Sequence, residues 1–223
     1  MNSQNKIISV IIPTYNEYKN LPKLLDQLLN LETIFEKEII IVDDNSSDGT
    51  QNLARSYSQN DRRIRLICRL GRSGLSSAIK EGCLCASGDL IVIMDADGQH
   101  EPNSIINGLE KFNNKNIDII IGSRFLEESI IKGLSSKRES GSSIANFLAR
   151  ITLHSGYKKL TDYMTGFILL KRNSCIKYIE KIDVNGFKFL YELLSLSKGK
   201  LTVIEIPLVF GFREFGKSKL DLA

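Results

Sequence analysis

Five short, β-branched runs recur through the first half of the chain at strand length: residues 7–12 (IISVII), 38–42 (EIIIV), 64–68, 90–94 (LIVIM) and 117–121. Helix-length stretches separate them: 21–31 with leucine at helical spacing, 50–58 after the turn NSSDG, the small-residue-rich 74–86, and 103–112 after Pro102. Such alternation argues for βαβ units and a parallel sheet. The runs are continuously apolar rather than alternating, so both faces of that sheet must be covered. After about Gly122 the rhythm loosens into a Ser/Lys/Gly-rich stretch (127–143), a helix near 144–153, the segment TDYMTGFILLKR, a helix near 187–196 and a late strand, 201–209. No repeat or linker divides the chain, and 1–223 reads as a single α/β domain.

At 42% hydrophobic and 25% charged residues, composition is globular. The longest apolar runs fall far short of the ~20 residues of a membrane span. The N-terminal MNSQNKIIS lacks an apolar core, so no secretory signal is expected, and four cysteines without zinc or redox spacing fit a reducing cytoplasmic compartment. Residues 1–120 hold 13 basic against 16 acidic residues, a balance of −3; the remainder carries +7, which together give the net +4. Basic charge of this kind suits nucleic acid, an anionic membrane or an anionic substrate, and the motifs must decide among them.

Open parallel sheets bind ligands at the carboxyl ends of their strands, near the point where strand order reverses. Acidic clusters occupy such ends: Asp43 and Asp44 after the second strand, Asp95 and Asp97 after the fourth. No GxxxxGK[ST] or strand-terminal GxGxxG is present, which removes the main support for P-loop and dinucleotide readings. In DADGQH, 95–100, two carboxylates at i, i+2 followed by the amide of Gln99 offer hard oxygen ligands for Mg²⁺ or Mn²⁺ holding a diphosphate. Tyr15 and Glu17 of PTYNE, with Asp44, supply a ring to stack on a base and carboxylates for its edge or a ribose.

VIIPTYNE, EIIIVDDNSSDGT, GLSSAIKEG, GDLIVIMDADGQHEP, IIIGSRF, KRESGSSIANFLA, DYMTGF and FREFGKSKL occur in an order and spacing that resemble inverting glycosyltransferases of family 2. More narrowly they resemble dolichyl-phosphate or polyprenyl-phosphate mannosyltransferases, from about Ile7 to Leu220. The resemblance implies a Rossmann-like, nucleotide-sugar-binding domain of GT-A type, with a donor half (1–122) and an acceptor half (123–223). It implies that Pro13, Tyr15, Glu17, Val42, Asp44, Asp95 and Ala96 bind GDP-mannose, and that Asp95, Asp97 and Gln99 hold Mg²⁺ or Mn²⁺. Asp95, Asp97, Arg124, Arg213 and Lys219 would be catalytic, the three cations meeting donor phosphates or the transferred sugar; Arg138 and Ser142 would meet the acceptor phosphate. Relatives commonly carry arginine directly after that serine, where this chain has Ser143.

A phosphate acceptor is already an anion at pH 7, so it needs positioning and charge neutralisation rather than a general base. A sugar-hydroxyl acceptor would instead need a base, and Glu192 lies on the helix where hydroxyl-acting members of the family place one. His100 reads as a capping or supporting residue beside the DAD, His154 as a surface residue, and Asp162 as a loop organiser. Asp48 and Gly49 read as the turn opening the second helix, Asp43 as pointing away from Asp44 by strand alternation, and Cys83 and Cys85 as packing residues. Competing readings are a UDP-sugar donor such as UDP-glucose, and a non-catalytic subunit that binds nucleotide or membrane. Nucleic acid is not expected as a partner, because strand-end carboxylates repel its phosphates. A lipid substrate places the protein peripherally at the cytoplasmic face of a membrane, through its own surface, through an integral membrane partner, or through membrane helices that some relatives carry after a segment like GKSKL, with exposed Lys158 and Lys159 expected to meet anionic headgroups.

Overall fold

The computed structural model describes residues 6–71, 74–113, 116–132, 136–183 and 188–216, with the backbone alone for 136–143. The elements run β1 (Ile7–Thr14), α1 (Leu21–Asn30), β2 (Glu36–Asp43), α2 (Thr50–Asn60), β3 (Ile64–Cys68), α3 (Leu75–Cys85), β4 (Leu90–Ile93) and α4 (Ser104–Lys111). The second half adds β5 (Ile119–Ser123), β6 (Ile130–Ile131), α5 (Ser136–Thr152), a 3₁₀ turn (Ser155–Tyr157) and β7 (Ile168–Lys171). It closes with α6 (Arg172–Ile179), α7 (Phe189–Ser197), β8 (Val203–Pro207) and β9 (Val209–Phe210).

Seven strands form one sheet in the order β3-β2-β1-β4-β7-β5-β8, and β6 pairs β9 in a small ribbon. Every neighbour pair of the large sheet is parallel except those of β7, which runs antiparallel to both β4 and β5. Alternate residues of each strand feed two apolar layers. Ile11, Ile40 and Val42 face α3, α6 and α7, whereas Ile8, Val10, Ile12, Ile39 and Ile41 face α1, α2 and α4. Each such isoleucine is fully buried and contributes about 1.5–3 kcal/mol of transfer free energy.

Local chemistry explains the element ends. Leucines 21, 24, 25 and 28 repeat on one buried face of α1. The ammonium of Lys37, reaching from β2, donates to the carbonyls of Leu28, Leu29 and Leu31 at 3.1, 2.7 and 2.8 Å and so closes that helix's C-terminus. Lys37→Met is expected to lower stability by about 1–2 kcal/mol, read as a shift of the urea midpoint at constant slope. Asp48 and Gly49 form the expected turn into α2: the Asp48 carboxylate accepts from the Thr50 amide at 3.0 Å, and Gly49 takes φ +95°.

The structure departs from the sequence reading at several points. The ILLK run is the strand β7, unassigned from sequence because it is four residues long and poor in β-branched side chains. The late strand divides into β8 and β9, with Leu208 buried between them. Helix α5 begins at Ser136 rather than near Ile144, because its polar first turns carry no hydrophobic period. Cys83 is buried as expected, but Cys85 is exposed.

Candidate active site

Sheet order reverses beside β1: β2 and β3 lie on one side of it and β4 on the other. The carboxyl ends of β1, β2 and β4 therefore flank the switch-point crevice. The first wall is the pair of loops after β1 and β2, laced together by short polar contacts. Asn16, in the left-handed region at φ 55°, donates its amide to Ser46 Oγ at 2.8 Å and accepts from the Ser47 amide at 2.9 Å. Glu17 is buried, and its amide donates to Thr50 Oγ1 at 2.9 Å while Asn20 Nδ2 donates to its carboxylate at 2.6 Å. Pro13 and Val42 pair across the two strands, and half-buried Tyr15 follows β1 by one residue.

Strand alternation separates the two adjacent aspartates as expected. Asp43 is fully buried and accepts from Thr14 Oγ1, the Ser46 amide and hydroxyl, and Gln51 Nε2. Asp44 turns toward Arg69 Nη1 at 2.8 Å and the Gly74 amide at 2.9 Å. Arg69 also reaches Glu81 at 3.1 Å and the hydroxyl of Ser77. Sequence reasoning missed this arginine. Its only signal was a lone cation between the end of β3 and a glycine-rich turn, facing an acidic strand end.

The second wall is the turn after β4. Asp97 folds back on its own turn, Oδ1 accepting from the Gln99 amide at 3.1 Å, while Oδ2 meets Arg213 Nη2 at 2.5 Å. The same guanidinium lies 3.8 Å from Glu17 Oε1, so residues 17, 97 and 213, from three distant parts of the chain, converge. Gln99 Nε2 donates to the Gly211 carbonyl at 3.1 Å. His100 is buried with its ring 5.7 Å from Phe167 and 5.5 Å from Phe210, the supporting position expected of it. His154 is exposed and accepts from the Gly156 amide.

Asp95 and Ala96 lie between β4 and Asp97. Removal from bulk water pushes the Asp95 carboxyl above its usual range; His100 opposes that, Asp97 adds to it, and Arg213 and Arg124 oppose it. The backbone of Gly166 lies flush against this carboxylate: a Cβ there would stand 2.3 Å from Asp95 Oδ2. Asp162, in the same loop, is fully buried and grips Arg124 in a two-point fork, Oδ2 to Nε at 2.7 Å and Oδ1 to Nη2 at 2.8 Å. Arg124 is thereby aimed and leaves Nη1 as the nitrogen that Asp162 does not engage. Glu205 of β8 holds the loop from below, accepting from the Thr161 and Asp162 amides at 2.9 and 3.1 Å.

Arg138 and Ser142 lie on the backbone of α5, with their side chains outside the description, and Lys219 lies outside the described residues. Among the described residues no three His, Cys, Asp or Glu side chains form a ready metal cage. Two neighbouring carboxylates, Asp95 and Asp97, at a buried turn fit a divalent ion that takes its remaining oxygens from a bound diphosphate and water. Glu192, in the first turn of α7, has its carboxyl pushed up by burial and by Asp183; it sits on the side of α3 and α6, with Lys80 nearby.

The sheet order and the paired aspartates at its switch point define the class, an α/β domain with the GT-A glycosyltransferase fold. The chain belongs to glycosyl transferase family 2, whose model matches residues 9–179. It is 38% identical over 216 residues to a dolichol-phosphate mannosyltransferase of Pyrococcus furiosus, across 96% of this chain and 59% of that protein's length. A dolichol-phosphate mannosyltransferase of Saccharomyces cerevisiae is 34% identical across 96% of this chain and 80% of its own length. A mannosyltransferase of Pyrobaculum calidifontis, solved with GDP-mannose and Mn²⁺, superposes with a TM-score of 0.63 at 16% identity, covering 92% of this chain and 56% of that one.

Proposed function

We propose that this chain transfers mannose from GDP-mannose to dolichyl or another polyprenyl phosphate, with inversion at the anomeric carbon, aided by Mg²⁺ or Mn²⁺. One observation carries the reading: carboxylates from the ends of β1 and β4 converge on one cleft that Arg213 and Arg124 neutralise. Such a site suits two anionic reactants that must be brought together, a diphosphate leaving group and a phosphate nucleophile. The names of the relatives support the mannosyl and dolichyl parts.

The residues divide the work. Tyr15, Glu17 and Asp44 receive the nucleoside, Asp44 being held in place by Arg69 and Gly74. A divalent ion on Asp95, Asp97 and Gln99 supplies positive charge to the diphosphate. Arg124, fixed by Asp162, presents its remaining nitrogen to a phosphate, and Arg138 and Ser142 of α5 receive the acceptor. An acceptor phosphate oxygen then bonds to the anomeric carbon as the bond to the diphosphate oxygen breaks and GDP departs; no proton needs to be removed. Label from GDP-[¹⁴C]mannose should enter the organic phase with polyprenyl phosphate and Mn²⁺. A thermal shift with UDP and none with GDP would move the donor to a UDP-sugar, and loss of transfer in Glu192→Gln with an inert lipid phosphate would move the acceptor to a hydroxyl.

Work at the cytoplasmic face of a membrane belongs to the same proposal. Helix α5 exposes Ile144, Phe147, Leu148 and Ile151, each 56–64% accessible, at i, i+3, i+4 and i+7, while Asn146 and Ala149 on its other side are buried. No helix among the described residues is long and apolar enough to cross a bilayer. A short amphipathic helix with exposed Lys158 and Lys159 close behind it suits a position in the headgroup plane. Replacing both Phe147 and Leu148 with aspartate should weaken liposome co-sedimentation by about two to four orders of magnitude, since each loses roughly 1.5–3 kcal/mol of apolar burial. Unchanged sedimentation would remove α5 from the membrane contact.

A further inference from the structure

The segment that follows β9 is fastened across the carboxylate cleft at both ends. At its start Gly211 exchanges two hydrogen bonds with Gln99, amide to carbonyl at 2.8 Å and carbonyl to Nε2 at 3.1 Å. At its far end the Phe215 carbonyl accepts from Asn20 Nδ2 at 3.2 Å, Lys19 lies 5.7 Å from the centre of the Phe215 ring, and Glu214 pairs with Lys23. Between these anchors Arg213 is delivered to Asp97 Oδ2 at 2.5 Å and to Glu17 at 3.8 Å. The Arg213 side chain is only 17% exposed, and a guanidinium keeps its charge at every pH at which proteins stay folded.

The oxygen that Arg213 holds is one a divalent ion would need, while the other Asp97 oxygen already accepts from the Gln99 amide. A cation arriving alone must displace Arg213 and leave a largely buried guanidinium without its best partner, which is costly. A cation arriving with a diphosphate meets no such penalty, because the phosphate oxygens offer Arg213 a replacement anion in the fork geometry it favours.

We infer that Arg213 is a resident counter-cation that keeps Asp97 from binding a divalent ion until a diphosphate arrives, so that metal and nucleotide bind interdependently. The inference rests on the reading of Asp95 and Asp97 as the metal pair. It makes residues 211–216 a strap that re-pairs rather than simply closes: Arg213 moves from carboxylate to phosphate as the ion takes its place. Interdependence is reciprocal, so the nucleotide must gain affinity from the metal by the factor the metal gains from the nucleotide.

The test is Mn²⁺ binding to the intact chain, followed by the electron paramagnetic resonance signal of free Mn²⁺, with and without GDP and with protein-free GDP controls. Wild type should bind Mn²⁺ weakly alone and about tenfold or more tightly with GDP, whereas Arg213→Gln should bind Mn²⁺ alone about tenfold more tightly and lose most of the GDP dependence. Glu214→Gln, which alters only an exposed tether of the strap, should shift Mn²⁺ affinity in the same direction by a smaller factor. Unchanged or weaker Mn²⁺ affinity in Arg213→Gln, or no change in both variants, overturns the inference. Loss of Mn²⁺ binding in Asp97→Ala without a gain in Arg213→Gln sinks the strap alone; Asp97→Ala binding Mn²⁺ with GDP as well as wild type sinks the metal pair itself.

Discussion

Asp97→Ala is expected to abolish transfer, with organic-phase label from GDP-[¹⁴C]mannose falling by about 10³-fold or more. Asp97 sits where the end of β4, the strap and the end of β1 meet, and its carboxylate balances Arg213 at 2.5 Å. Removing it takes away a proposed metal ligand and leaves the guanidinium to collapse onto Glu17, 3.8 Å away, pulling that residue from its proposed place at the donor. Asp97→Asn keeps the shape and the bond from the Gln99 amide, so it separates charge from geometry: a comparable loss assigns the effect to charge. Activity within about tenfold of wild type in either variant would remove Asp97 from the chemistry.

The second large effect concerns stability. Asp162 is fully buried and its fork with Arg124, 11% exposed at the side chain, is a well-enclosed ion pair of the cleft. Asp162→Ala leaves that guanidinium uncompensated and is expected to cost about 3–5 kcal/mol in urea unfolding, with transfer lost as well. The double variant Arg124→Met/Asp162→Leu should recover most of the stability and none of the activity, because it replaces the pair with apolar bulk and still lacks a cation at the phosphate. A single variant that unfolds like wild type would show that the fork does not hold the loop.

The first half of the fold was legible because β1, β2, β3 and β4 are β-branched runs, each followed by a helix with its own period. The second half was less so, for two physical reasons, and one residue of the first half escaped notice as well. β7 joins the sheet through a single short antiparallel strand, whose pairing with β4 and β5 is a long-range event without a local signature. The first turns of α5 are polar and their sequence carries no hydrophobic period. Arg69 gains its meaning only from Asp44, 25 residues away in sequence, and from the turn that brings Gly74 beside it. The carboxylates, by contrast, could be placed early: residues at the ends of parallel strands share one edge whatever the loops do. Asp162 was readable as an organiser; that it organises Arg124 required the packing of the 161–166 loop between Glu205 and Asp95.

The position of β7 also sets a schedule. During synthesis β1 to β4 can pair as soon as they emerge, but the outer edge of β4 has no partner until Ile168 follows Ile93. At the roughly 5–20 residues per second of translation, those ~75 residues leave an apolar strand edge open for about 4–15 s. β5 waits in the same interval for both of its neighbours, β7 and β8. A ribosome stalled between the two halves would therefore present unpaired edges on both β4 and β5 that invite pairing with another chain, and nascent chains released near residue 150 should be among the most aggregation-prone intermediates of this protein.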